Sequence, residues 1–211
     1  MPDLDFRVEH AEMLPFAAAP SLLFRLRVAN ATGEPVRAVM LGTQVRIAPN
    51  ARHYTPDEQE ALVELFGAPS RWSETLKSLL WAHTTVLVPP FTESAVVDMP
   101  VPCTYDFEVA SAKYFASLED GTVPLEFLFS GTVFYAGARG LQAEQLSWEK
   151  EARYALPVRV WQETMEHYFP RSAWLRVRRE TFDRLYRYKA RHGLPTWDDA
   201  LERLLCAGGE D

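Results

Sequence analysis

Glu163 and His167 stand four residues apart in "ETMEH". That spacing sets both side chains on one face of a helix, where a carboxylate and an imidazole can serve as an acid–base pair or as two metal ligands. No HxH or HExxH accompanies them, and the same five residues read equally well as a solvated helix face. Asp98, Asp106 and Glu108 make a second carboxylate group, on segments whose alternation is also that of a half-exposed sheet. "FSGTVFY" places a serine before a glycine but lacks the G-x-S-x-G elbow of a hydrolase nucleophile. "GARG" has neither the GK[ST] ending nor the strand–glycine–helix setting of a phosphate loop. Cys103 and Cys206 are the two cysteines, far apart and without a CxxC pair. A thiolate zinc or iron–sulfur site within the chain has little support, and two free thiols in a reducing compartment are expected. The expectation is therefore no catalytic residue, no cofactor and no metal, with any enzyme pocket to be sought near His167.

The stronger signal is charge. In a chain of net charge −7, residues 171–192 hold eight basic side chains against Glu180 and Asp183. That segment is +6, and the remainder carries −13. Such an imbalance fits an anionic partner, or an acidic body holding a basic tail against itself. Arg176, Arg178 and Arg179, with Trp174 beside them, are the candidate partner-binding residues. Trp161, Trp174 and Trp197 are expected to serve the core and, in part, an interface.

The elements that must position these groups follow from periodicity and turn chemistry. The chain of 211 residues suits one large or two small domains, and its 12% aromatic content permits a large aromatic core. "DFRVEH" alternates, and "LLFRLRVANATGEPVRAVMLGTQVRI" is two alternating runs around a turn cluster. Phe24, Leu26 and Val28 should face one side, with Arg25 and Arg27 on the other. "TPDEQEALVELFG" is a helix with Thr55 as cap, Pro56 at its first position and Gly67 at its end. A second short helix is expected over "RWSETLKSLLW". From Thr84 the pattern returns to strands: "TTVLVPPF", "ESAVVDMPV", "TYDFEVASAKYFASL", "PLEFLFSGTVFYAG" and "LQAEQLSWEKEARYALPV". "VRVWQETMEHYF" then has helical spacing and stops at Pro170, followed by a short extended "WLRV". Two further helices follow, "RRETFDRLYRYKARHG" and, capped by Thr196, "TWDDALERLL", the last burying Trp197, Ala200, Leu201, Leu204 and Leu205.

No apolar run reaches the roughly 18–20 residues of a membrane span. The start "MPDLDF" is acidic and lacks the basic region of a secretory signal, so a cytoplasmic location is expected. The fold class read from these elements is α+β. A mainly antiparallel β body over 1–157, a SecB-like sheet or a sandwich, carries a helical insertion at about 55–81, and a helical region spans 158–206.

Three resemblances bear on function. The segment 173–205 has the order of ribbon-helix-helix proteins, strand then helix, glycine turn and capped helix. That likeness implies pairing of two such strands across a dimer and insertion into the DNA major groove, with Arg176 and Arg178 on the outer face. "DFRVEHAEMLPFAAAPSLLF", "LEFLFSGTVFYA" and "YFPRSAWLRVRRETFDRLYRY" resemble SecB-type export chaperones, through Phe169, Pro170, Leu175, Val177, Phe182, Asp183 and Leu185. That likeness implies an antiparallel sheet with helices on one face, holding unfolded clients. It has no counterpart for residues 55–81. The chain as a whole, and "VPCTYDFEVASAKYFASLEDGTVPLEFLFSGTVFY" in particular, resembles an uncharacterised actinobacterial family associated with nickel–iron hydrogenase gene neighbourhoods. This implies an accessory role in assembling a redox metalloenzyme. The combined expectation is a non-catalytic accessory that binds another protein, a hydrogenase component or an unfolded client. A DNA-binding regulator is the alternative.

Overall fold

The computed structural model describes residues 2–104, 106, 109–137, 140–172 and 176–209. The chain forms two compact units, Met1–Trp174 and Leu175–Asp211.

In the first unit, strands form where alternation is clearest. In β2 (Ser21–Asn30) Leu22, Phe24, Leu26 and Val28 are fully buried, while Arg25 and Arg27 lie on the opposite face. β1 (Leu4–Met13) and β5 (Ser94–Pro102) pair antiparallel on either side of β2, which completes a three-stranded sheet. A second antiparallel sheet runs β4 (Leu79–Val88), β3 (Val36–Ile47), β6 (Thr122–Gly137). The 16-residue β6 is long enough to take two partners on its far edge. β7 (Gly140–Gln145) pairs with Thr132–Gly137 and β8 (Glu151–Pro157) with Thr122–Leu128.

The two sheets face each other as a sandwich. Its centre is Phe24, whose ring meets Phe127 at 5.3 Å and Trp81 and Tyr154 at 6.1 Å, all near edge-on. These three rings come from β6, β4 and β8, so one side chain of the small sheet touches three strands of the large one. The SecB likeness implies a single sheet; here the strands divide between two. "NATGEP" accordingly joins strands of different sheets and is not a hairpin turn. Buried Asn30 holds this crossing: its Nδ2 donates to the carbonyls of Glu34 (2.7 Å) and Thr92 (2.9 Å), and its Oδ1 accepts from Thr32. Gly131 in β6 has a φ of 144°, and a Cβ there would run into the Met40 carbonyl oxygen of β3, so only glycine fits.

Several elements differ from expectation. Residues 110–116, expected as strand, form helix α4 (Ala110–Ala116). Ser111, Ala112, Tyr114 and Phe115 are buried, at the i, i+1, i+3, i+4 spacing of a helix face, and that periodicity outweighs the aromatic content that favours strand. Tyr105, Phe107 and Glu108 lie outside the described residues. The expected helix over 71–81 is one turn, α3 (Trp72–Thr75), because the chain must already be extended at Leu79 to pair with Ile47. The capped helix ahead of it breaks at Leu62 into α1 (Pro56–Ala61) and α2 (Val63–Phe66). Helix α5 (Val158–Tyr168) buries Val158, Trp161 and Met165, and Trp161 stacks on Phe115 at 5.3 Å with ring planes 10° apart. Trp161 is thus core of the first unit.

The second unit holds α6 (Arg179–Arg191) and α7 (Trp197–Gly208). Gly193, at φ 63°, turns the chain after α6. The Leu194 amide donates to the Lys189 carbonyl (3.1 Å), and the Lys189 ammonium donates to the Pro195 carbonyl (2.8 Å). Thr196 caps α7 as expected: its hydroxyl accepts from the Asp199 amide, and the Asp199 carboxylate accepts from the Thr196 amide. These Thr196 hydrogen bonds hold the Asp199 carboxyl below its ordinary value. The expected burial on α7 is met by Ala200 alone among the described residues. Trp197, Leu201, Leu204 and Leu205 are exposed, because α6 covers only one edge of their stripe.

Candidate functional site

Among the described residues, the groups singled out for chemistry lie on separate elements. Glu163 and His167 lie on the exposed side of α5, and the His167 ring contacts Tyr168. Asp98 faces Arg25 on the neighbouring strand at 3.7 Å, and Arg25 also reaches Glu12. Ser130 and His83 share a groove of about 410 Å³ on the outer face of the five-stranded sheet, with Gln44, Thr85 and the exposed Trp148. Among the described residues, no carboxylate lines that groove to orient the histidine. Among the described residues, no cluster of three or more His, Cys, Asp or Glu side chains could hold a metal ion. Among them, too, no helix is long and apolar enough to cross a membrane.

Cys103 is buried, and burial pushes its thiol up to about 12, whereas Cys206 is exposed. Tyr54 donates to the Pro49 carbonyl (2.6 Å) and accepts from the Tyr114 hydroxyl (2.8 Å), and its burial pushes it too up to about 12. Two outcomes follow. A thiol reagent at pH 8 should titrate one cysteine in the native protein and two in denaturant; two fast native thiols would contradict the burial of Cys103. Both groups are raised above their ordinary values of 9.0 and 10.0. Their contribution to stability is therefore complete below pH 9 and is lost as pH rises through 9 to 12, so denaturation midpoints should fall across that window.

The surface of the second unit has a different character. Arg176 and Arg178 precede α6 without strand structure, and Arg179 opens it; all three are exposed. Trp174 lies outside the described residues. Arg179 is bonded to Asp183 at 3.1 Å, one turn on. Arg184, Arg187 and Arg191 fall at i, i+3 and i+7 and, with Tyr188, line an open cleft of about 450 Å³. Among the described residues no carboxylate lies within 4 Å of Arg176, Arg178, Arg184, Arg187 or Arg191. The sequence shows these cations as a basic run; the stripe on one face of α6 is legible only from their three- and four-residue spacing. Turned away from it, Phe182 and Tyr186 of α6 meet Trp197 of α7 at 5.3 and 6.4 Å, and the Lys189 ammonium lies 5.7 Å from the Trp197 ring. The arrangement can bind an anionic surface through the arginines and an apolar one through the rings.

A family model described as "Family of unknown function (DUF6084)" matches residues 1–211. No curated protein matches the chain. Among solved structures, the CARDB domain of a Pyrococcus furiosus protein is similar at 13% identity, covering 74% of this chain and 87% of that one, with a TM-score of 0.29. A putative late embryogenesis abundant protein is similar at 11% identity over 74% and 73% of the two chains, with a TM-score of 0.31. β-Glucosidase 3B from Thermotoga neapolitana is similar at 18% identity over 73% of this chain and 17% of that one, with a TM-score of 0.26. At these identities and scores the three bear on neither the site nor its chemistry.

Proposed function

The chain belongs to the DUF6084 family of unknown function, and from that premise we propose that it is a non-catalytic accessory that binds another protein through its second unit. The observation that carries this reading is the set of exposed arginines on and before α6: Arg179 is paired with Asp183, whereas Arg176, Arg178, Arg184, Arg187 and Arg191 have no carboxylate within 4 Å among the described residues. A cation left to solvent gains little within its own chain, and an acidic patch on a partner supplies the missing charge while the chain's acidic remainder discourages wrong partners. The likeness to a family of hydrogenase gene neighbourhoods makes an assembly or chaperone-like role around a redox metalloenzyme the specific form of the proposal.

The test is recovery of partners from the source cell by the full-length protein and by an Arg176→Ala/Arg178→Ala/Arg179→Ala variant. Recovery of the partner should fall about tenfold in the variant and should weaken as salt is raised. Equal recovery by both proteins would sink the reading. Salt-steep binding of duplex DNA that the same triple variant abolishes would replace it with the regulator.

A further inference from the structure

Trp148 is 87% exposed, the most of any tryptophan among the described residues, yet the backbone beneath it is held at both ends. Residues 146–150 join β7 to β8 and fold back on β6. The Leu146 amide donates to the Gly131 carbonyl (2.8 Å), and the Phe129 amide donates to the Lys150 carbonyl (2.9 Å). Within the link the Lys150 amide donates to the Ser147 carbonyl (3.2 Å), which closes a turn around Trp148. Leu146 packs against the core, and the Lys150 ammonium donates to Asp3 at 2.8 Å. A fixed turn thus presents the indole to the groove of about 410 Å³ on the outer face of the five-stranded sheet.

The floor of that groove is β3, with Gly42 between Thr85 and Ser130 and Gln44 between His83 and Leu128. Glycine lowers the floor at its centre: a Cβ on Gly42 would stand 3.2 Å from the Ser130 Oγ. Among the described residues, the side chains of Gln44, His83 and Thr85 have no hydrogen-bond or ion-pair partner, and the Ser130 hydroxyl has only the Gly42 carbonyl, at a long 3.5 Å. No Lys, Arg, Asp or Glu side chain lines the groove among them. An aromatic wall beside neutral polar groups without partners has the composition of a small-ligand site, and the volume lies within the roughly 300–1,000 Å³ of such sites.

The geometry points to a neutral saccharide as the ligand of this groove, with a sugar ring lying on Trp148 and its hydroxyls meeting Gln44, His83, Thr85 and Ser130. A carboxamide, a neutral imidazole and a hydroxyl each donate and accept, as sugar hydroxyls do, so the two sets satisfy one another. The C–H face of a pyranose is flat and apolar, and indole offers it a broad apolar surface. A phosphate or a charged peptide would find no counter-charge in the lining. A peptide added as an extended strand would find no free backbone either, because β3 is already paired with β4 on one side and β6 on the other. The inference concerns the first unit and is independent of the arginines of the second.

The experiment is isothermal titration of the full-length protein with cellohexaose, maltohexaose and chitohexaose. At least one should bind with a dissociation constant below about 1 mM. Trp148→Ala should weaken that binding about tenfold or more, and Gln44→Ala about fivefold. Because Trp148 is exposed, its variant should keep the wild-type thermal midpoint, so the loss reports recognition and not folding. An Arg184→Ala/Arg187→Ala/Arg191→Ala variant should bind the saccharide as the wild type does. Failure of all three saccharides to bind overturns the inference, and so does binding that Trp148→Ala leaves unchanged. Trp148-dependent capture of a proline-rich peptide in place of any saccharide overturns it too, giving the groove to a protein segment. Binding confined to a sulfated saccharide and lost in the triple arginine variant also overturns it, since the contact then lies with the cations of the second unit.

Discussion

Glu58→Ala is expected to destabilise the first unit by about 3–5 kcal/mol, the range for removing one partner of a buried ion pair. The Glu58 side chain is 2% exposed, and its carboxylate accepts from the Arg52 guanidinium at 2.8 and 3.0 Å. The same carboxylate accepts from the Thr55 amide, closing the capping box of α1, and from the Glu119 amide. Arg52 donates onward to the carbonyls of Asp120 and Thr122, so one ion pair ties the helical insertion to the turn before β6. Deleting the carboxylate leaves a largely buried guanidinium without its counter-charge and two amides without their acceptor. Urea denaturation measures the loss as a lower midpoint at unchanged slope. Arg52→Ala in the Glu58→Ala background should recover part of it, since the unpaired charge goes as well. A single-variant loss below about 1 kcal/mol would show that water solvates the site and that the pair is a surface feature.

Phe24→Ala is expected to cost a similar amount, about 3–5 kcal/mol, for a different reason. Its ring is fully buried and touches aromatic rings from three strands of the facing sheet. Those strands are held in their own ladders and cannot close on the space, so the cavity remains. Phe24→Leu keeps most of the volume and should cost roughly 1 kcal/mol. If both variants lose the same amount, the ring contacts are not what joins the two sheets.

Elements whose signals are local are legible from the residues alone. Leu22, Phe24, Leu26 and Val28 alternate with arginines because one face of β2 meets the core and the other water. Thr55 and Thr196 mark helix starts because a hydroxyl three residues before a carboxylate satisfies backbone amides that the helix leaves free. The basic run of 171–192 was visible from composition. Which elements meet is set by long-range packing. A turn such as "NATGEP" serves a hairpin and a crossing between sheets equally, and the choice rests on Asn30 finding carbonyls from two segments. Residues 110–116 are helix because Tyr114 and Phe115 must fill the same side, a demand made by Trp161 and Tyr54 from distant parts of the chain. Glu58 reads as a solvated acid in the first turn of a helix until Arg52 and the Glu119 amide close over it. The apolar stripe of α7 leads to an expectation of burial that Ala200 alone meets among the described residues, because periodicity records only that a face is apolar. What covers it depends on a surface that the chain's own order of residues does not name.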